Sequence, residues 1–189
     1  MFSAVLDTSV LYPSLLRDVL LELAWEKVYR PVWSGRILQE LDAVIRRRHA
    51  HQTDMDVDSY ITRLISRMNK AFPDALTADV RELELDLPDP KDVHVVACAE
   101  AGRAEAIITR NLKDFPPAAL PQDIRAIPPD AFLLDSLDMN PQLFAQALGA
   151  IASRSGRHGL PISTFNDLAV HLDRKWCSGL RSALSEHGF

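Results

Sequence analysis

Asp7 closes the apolar run Phe2-Ser3-Ala4-Val5-Leu6 and is followed at once by Thr8 and Ser9. The run is rich in strand-forming residues, and from Val10 onward the apolar pattern is helical, so Asp7 stands where a buried strand hands over to a helix. Ligands of parallel α/β sheets lie beyond the carboxyl ends of the strands, which places this acid for chemistry. Asp92, Asn111 and Asp114 occupy comparable places at helix starts or strand ends, and a helix whose apolar face is Ile37, Leu38, Leu41, Val44 and Ile45 offers Glu40 or Asp42 on its flanks. Periodicity gives those two equal standing. A parallel sheet would gather these groups around one crevice, where crowded carboxylates repel unless cations lie between them. An all-oxygen donor set favours magnesium or manganese over zinc. Singly, each acid has a plainer use: Asp7 can accept a following N–H, Asp92 lies three residues after the helix cap Asp89, and Asn111 with Asp114 repeats that spacing. Only their conjunction points to a site.

The elements that must position these residues follow from pattern. A helix is expected from Leu11 to Val28 with Pro13 in its first turn, then a strand at Tyr29–Trp33 and a helix capped by Ser34. That helix ends in Arg46-Arg47-Arg48-His49-Ala50-His51, which reads equally as a solvated helix end and as a phosphate-contacting patch. An amphipathic helix spans Asp58 to Phe72, Pro73 stops it, and one or two short strands fall within Ala75–Leu87. Asp89 and Pro90 open a nearly all-apolar helix that Gly102 ends; a second apolar strand, Ala104 to Thr109, then delivers Thr109-Arg110-Asn111. A last strand at Ile124–Ile127 precedes a short helical piece at Pro129–Leu134. Beyond it, a helix from Asn140-Pro141 to about Ala152, a linker from Ser153 to Pro161 and a capping box at Thr164–Asp167 introduce leucines and Trp176 at four-residue intervals, on one long helix or two broken near Gly179. Trp25 and Trp33 read as core.

Composition bounds the class. With 189 residues, 47% of them hydrophobic, the chain can bury a proper core as one domain, residues 1–134, carrying an extension, residues 135–189. The net charge of -5 excludes a generally polyanion-binding protein, so a nucleic acid would need a local basic surface. Two distant cysteines and no apolar leader point to a reduced, cytoplasmic protein without a membrane span.

The set Leu6-Asp7-Thr8-Ser9, Ile37-Leu38-Gln39-Glu40-Leu41, Asp89-Pro90-Lys91-Asp92-Val93-His94-Val95-Val96-Ala97 and Ile108-Thr109-Arg110-Asn111-Leu112-Lys113-Asp114-Phe115-Pro116 resembles a PIN domain, in particular the VapC type of toxin ribonuclease, over residues 1 to about 134. The resemblance implies a three-layer α/β/α sandwich with a mostly parallel central sheet and a C-terminal helical extension. It implies a magnesium- or manganese-dependent endoribonuclease that hydrolyses RNA by metal-activated water. It also settles the choice at the second helix: Asp7 and Asp92 become principal ligands, Glu40 a ligand or an orienter of water, Asp114 an outer ligand, with Thr8 and Asn111 in support. A cognate antitoxin, an RNA substrate and a homodimer are the partners it implies. Such chemistry does not use the ribose 2′-OH, so the preference for RNA over DNA comes from the family.

Two departures stand beside the resemblance. The helices after residue 140 have no part in the motifs and are expected to pack on the domain, extend a dimer contact or help receive the antitoxin. The acidity is unusual for a ribonuclease, and Arg46, Arg47, Arg48, Arg110 and Lys113 are the candidate RNA-contacting rim. Other chemistries lack their residues. An aspartyl-phosphate mechanism needs an acid where Ser9 stands, there is no G-x-G-x-x-G, G-x-x-x-x-G-K-[ST] or G-x-S-x-G, and His49 with His51 has the wrong spacing for a helical zinc pair. The remaining histidines, His94 among them, read as surface residues. The alternatives from other classes are a catalytically silent PIN-like binding or assembly protein and a nuclease acting in RNA maturation or on DNA.

Overall fold

Short, mostly apolar runs buried on both faces form the central strands of a sheet covered on both sides. The computed structural model describes residues 1–51, 56–78, 83–154, 162 and 164–189. In it β1 (Ser3–Leu6) is buried at all four positions and lies between β2 (Arg30–Ser34) and β4 (Ala106–Ile108). With β3 (Leu76–Thr77) and β5 (Arg125–Ile127) the order is β3-β2-β1-β4-β5, and every pairing is parallel. Helices cover both faces, giving an α/β/α sandwich. The chain builds outward from β1 to β3 and then returns to β4 on the other side of β1. The order therefore reverses between β1 and β4, which is where such sheets open a crevice.

The first expected helix is two. Asp7 caps α1 (Thr8–Leu11), so helical structure begins earlier than the apolar period suggests, and Pro13 would fall in a helix interior, where its missing N–H and its ring break the turn. The chain restarts as α2 (Ser14–Trp25), and the Leu11 carbonyl freed by the break accepts from Nη1 of the buried Arg17 at 3.0 Å. Trp25, expected in the core, is 61% exposed, because it sits at the last residue of α2 off the Leu16–Leu20–Leu23 stripe. Trp33 is fully buried as expected.

Ser34 Oγ accepts from Ile37 N at 3.2 Å and caps α3 (Gly35–His49), and Asp56 caps α4 (Val57–Ala71). A 3₁₀ turn at Pro90–Asp92 leads into α5 (Val93–Gly102), which lies against the sheet. In the 75–87 stretch the described strand is β3; residues 79–82 lie outside the described ones. Gly102 ends α5, but the left-handed residue there is Arg103, at φ 50°. Gly102 is needed for close approach instead: a Cβ on it would stand 2.5 Å from Val32 Cγ1 and 3.2 Å from Thr77 Cγ2. Gly102→Ala is expected to destabilise by about 1–3 kcal/mol through overpacking, whereas Arg103→Gly is expected to stabilise by about 1 kcal/mol by removing left-handed strain. Urea midpoints of the two variants measure both.

The short helical piece expected at Pro129–Leu134 continues as α6 (Pro129–Met139), since nothing after Leu134 breaks it before Asn140. Then come α7 (Pro141–Arg154), α8 (Phe165–Lys175) and α9 (Leu180–Glu186). The Thr164–Asp167 capping box is formed, and Gly179 at φ 91° separates α8 from α9. Residues 155–161 of the expected linker lie outside the described ones. Phe144, Leu148, Ile151, Leu168, Leu172, Leu180 and Leu184 join the same apolar core as β1 and α2. The C-terminal helices thus pack on the sheet domain. Cys98 and Cys177 are free and buried, and burial pushes their thiols up to about 11 and about 12. Among the described residues no helix is long and apolar enough to cross a membrane.

Candidate active site

The crevice between β1 and β4 is lined from both strand ends. Asp7 is 8% exposed, and its backbone N–H donates to Ile108 O at 3.2 Å, joining the two strand ends. Its Oδ2 accepts from Ser9 Oγ at 2.6 Å, Thr109 Oγ1 at 2.8 Å and Ser9 N at 3.3 Å. Each hydroxyl spends its one proton on Asp7 and accepts a backbone N–H in turn, Ser9 from Arg110 and Thr109 from Asn111, both at 3.0 Å. Three donors on Oδ2 fix the carboxylate plane and leave Oδ1 without a hydrogen bond among the described residues. Thr109→Val keeps the shape of this fully buried residue and removes one of the three donors. If Asp7 holds a cation, as the sequence resemblance implies, the change is expected to weaken metal binding about 10- to 100-fold, as loss of a group that orients a ligand does, measurable by titrating metal into the variant.

Glu40 projects from α3 toward the same end of the sheet. Its Oε2 lies 3.3 Å from Thr8 Oγ1, and its Oε1 accepts from His94 Nε2 at 2.8 Å. Asp42, its rival by periodicity, instead pairs with Arg46 on the outer surface. The His94 side chain is only 8% exposed and its Nδ1 is buried without a partner among the described residues. The surface reading of His94 is therefore corrected. His94 lies two residues from Asp92 on the mostly apolar α5, and that position is the signal its type alone did not give. Ser9 and Thr109 stood within the motifs but carried no role, because hydroxyls at strand ends are too common to single out.

Asp92 ends the 3₁₀ turn before α5, whose cap is Asp89 accepting from Lys91 N at 2.9 Å. The Asp92 carboxyl is half-buried and is pushed up to about 6, first by burial and then by the charges of Asp7, Asp89, Asp114 and Glu40. Asp114, in the 3₁₀ turn Leu112–Asp114, accepts from Asn111 Nδ2. The fold therefore brings Asp7, Glu40 and Asp114 within electrostatic reach of Asp92, with Thr8 bonded to Glu40 and Asn111 to Asp114. Among the described residues no group of three or more His, Cys, Asp or Glu side chains is arranged to hold a metal ion as it stands. The donor chemistry does fit a hard cation: Asp7 Oδ1 is open among the described residues, and Asp92 carries a proton more readily than a lone carboxylate because it is partly buried and, after that, because like charges surround it.

The candidate rim residues are spread out. Arg46 is bonded to Asp42 and Asp58, Arg47 is exposed, and Arg48 lies 5.9 Å from the Tyr12 ring centre; all three are about two turns beyond Glu40 on α3. Arg110 and Lys113 are exposed beside the acids on the β4 side, Arg110 with its guanidinium 4.9 Å from the Trp176 ring centre.

A family model described as PIN domain matches residues 3–113, which hold β1 to β4 and the turns that carry most of these acids. The chain belongs to the PIN-domain family. A protein of Mycobacterium tuberculosis named "Putative ribonuclease VapC50" is 58% identical to it over 50 residues, 26% of this chain and 30% of that one. The match thus spans under a third of that relative. No solved structure matches the chain. The family-matched region contains Asp7, Glu40, Asp92 and Asn111 and leaves α6 to α9 outside it.

Proposed function

We propose that this chain is a divalent-metal-dependent endoribonuclease, the toxin of a toxin–antitoxin pair, that hydrolyses RNA phosphodiesters in the crevice between β1 and β4. The observation that carries the reading is the convergence of acids on Asp92, whose carboxyl is raised by burial first and then by the charges of Asp7, Asp89, Asp114 and Glu40. Keeping several carboxylates together is unfavourable in an apo crevice and becomes favourable once a cation neutralises them. A bound magnesium or manganese ion would supply Lewis acidity at the phosphodiester and make water nucleophilic at neutral pH.

Asp7, through Oδ1, and Asp92 would hold that ion, Glu40 would ligate it or orient the attacking water, and Asp114 would be an outer ligand. Ser9 and Thr109 keep Asp7 from turning, and Thr8 and His94 do the same for Glu40. No side-chain nucleophile is required. RNA as substrate follows the name of the mycobacterial relative, a ribonuclease, and an antitoxin as partner, a cytoplasmic location and a homodimer follow the family resemblance alone. The antitoxin would cover the crevice. Cleavage of a mixed structured-RNA pool by the purified chain, with magnesium, manganese or chelator and beside folded Asp7→Ala, tests the proposal. Cleavage that needs metal and is lost in the variant supports it; cleavage equal in chelator or in Asp7→Ala refutes it.

A further inference from the structure

Arg110 leaves the crevice directly. Its backbone N–H is held by Ser9 Oγ, which is itself bonded to Asp7, and its exposed side chain runs out over the C-terminal helices. There its guanidinium carbon lies 4.9 Å from the Trp176 ring centre, and Lys175 Nζ lies 5.4 Å from the same centre. Among the described residues Arg17 pairs with Asp18, Arg46 with Asp42 and Asp58, and Arg154 with Glu22. Arg110 and Lys175 have no carboxylate partner among the described residues. The neighbouring Asp173 is already engaged, accepting from Gly179 N at 3.0 Å and Arg181 N at 3.2 Å. Two cations on one ring beside an acidic crevice, in a chain of net charge -5, form a local anion site.

We infer that Arg110, Trp176 and Lys175 form a phosphate subsite for single-stranded RNA, built jointly by the loop after β4 and the corner between α8 and α9. The inference rests on the nuclease reading above and adds to it where the strand runs beyond the reacting bond. A guanidinium lying on an aromatic face keeps its N–H edge free for two phosphate oxygens, and the ring removes part of the entropy cost of holding a long side chain ready. Trp176 is itself fixed: its backbone N–H donates to Leu172 O at 2.8 Å, and the next residue, Cys177, reaches the Asp130 carbonyl of α6 at 3.6 Å. The subsite lies partly outside the family-matched residues 3–113, so it gives the C-terminal helices a part in binding substrate.

Binding of a labelled single-stranded RNA oligonucleotide to the full chain, read by fluorescence anisotropy in chelator across a range of salt, tests this without cleavage. Trp176→Leu is expected to weaken binding about three- to fivefold, and Arg110→Gln and Lys175→Gln each to reduce the salt slope by about 0.7. Trp176→Phe, which keeps an aromatic face and removes a buried Nε1 that has no partner among the described residues, is expected to bind nearly as wild type. Trp176→Leu added to Arg110→Gln is expected to cost little more than Arg110→Gln alone. Unchanged affinity and slope in Arg110→Gln and Lys175→Gln, or no RNA binding by wild type, overturns the subsite; these surface variants decide it even if Trp176→Leu does not fold. The nuclease reading fails separately, in the cleavage experiment with metal.

Discussion

Asp92→Asn is expected to lower metal-dependent cleavage more than about a thousandfold and, in the same protein, to raise the stability of the metal-free state. The first follows from the ligand role proposed for Asp92, the second from the surroundings of its carboxyl. The Asp92 carboxyl is pushed up to about 6 by burial and by four neighbouring acids, so its charged form is disfavoured in the folded chain relative to the unfolded one. The folded state holds this proton more tightly, which stabilises fully below the ordinary carboxylate pKa and is lost as pH rises through about 6. Asparagine never ionises and escapes that loss. The advantage of Asp92→Asn over wild type in chelator is therefore expected to be small at acid pH and to grow up to neutral pH. Urea midpoints at several pH values measure it. A variant less stable than wild type at neutral pH, or one that still cleaves, contradicts the role given to Asp92.

The second large effect concerns His94. Its Nε2 bond to Glu40 is the shorter of the two that hold that carboxylate, 2.8 Å against 3.3 Å from Thr8. His94→Phe fills the same space, removes a buried Nδ1 that has no partner among the described residues, and leaves Glu40 Oε1 without its donor. Activity is expected to fall about 10- to 100-fold, with the thermal midpoint little changed. His94→Gln, which can present an N–H from a similar distance along the side chain, is expected to recover most of the loss. Equal loss in both variants, accompanied by a lower thermal midpoint, would make His94 a packing residue and remove it from the site.

What the sequence disclosed and what it hid divide along physical lines. Asp7 was legible because a mostly apolar strand ended on it, and a second such strand ending in polar groups was legible in the same way, whereas the strand order that sets β1 beside β4 was not. Ser34, Asp89 and the Thr164–Asp167 box were legible because caps are local and act within three residues. The exposed Trp25 was not, since residue type favours burial and only the phase of α2 decides its side. Pro13 split a helix because the true start lay at Thr8, set by the Asp7 cap, and no apolar period marks a cap. Gly102 had a visible reason, ending a helix, and a hidden one, the approach of Val32 from another strand. His94, Ser9, Thr109 and the Arg110–Trp176 stack all depend on contacts across many residues, which single-chain patterns do not encode.

Manganese binding to the metal-free full chain, measured by titration calorimetry at neutral pH beside folded Asp7→Ala and Asp92→Ala, tests the central claim without needing the right RNA. The expected result is saturable binding by wild type that both variants lose. Absence of binding by wild type, or binding unchanged in the variants, would contradict a metal centre built on these acids at the β1–β4 crevice.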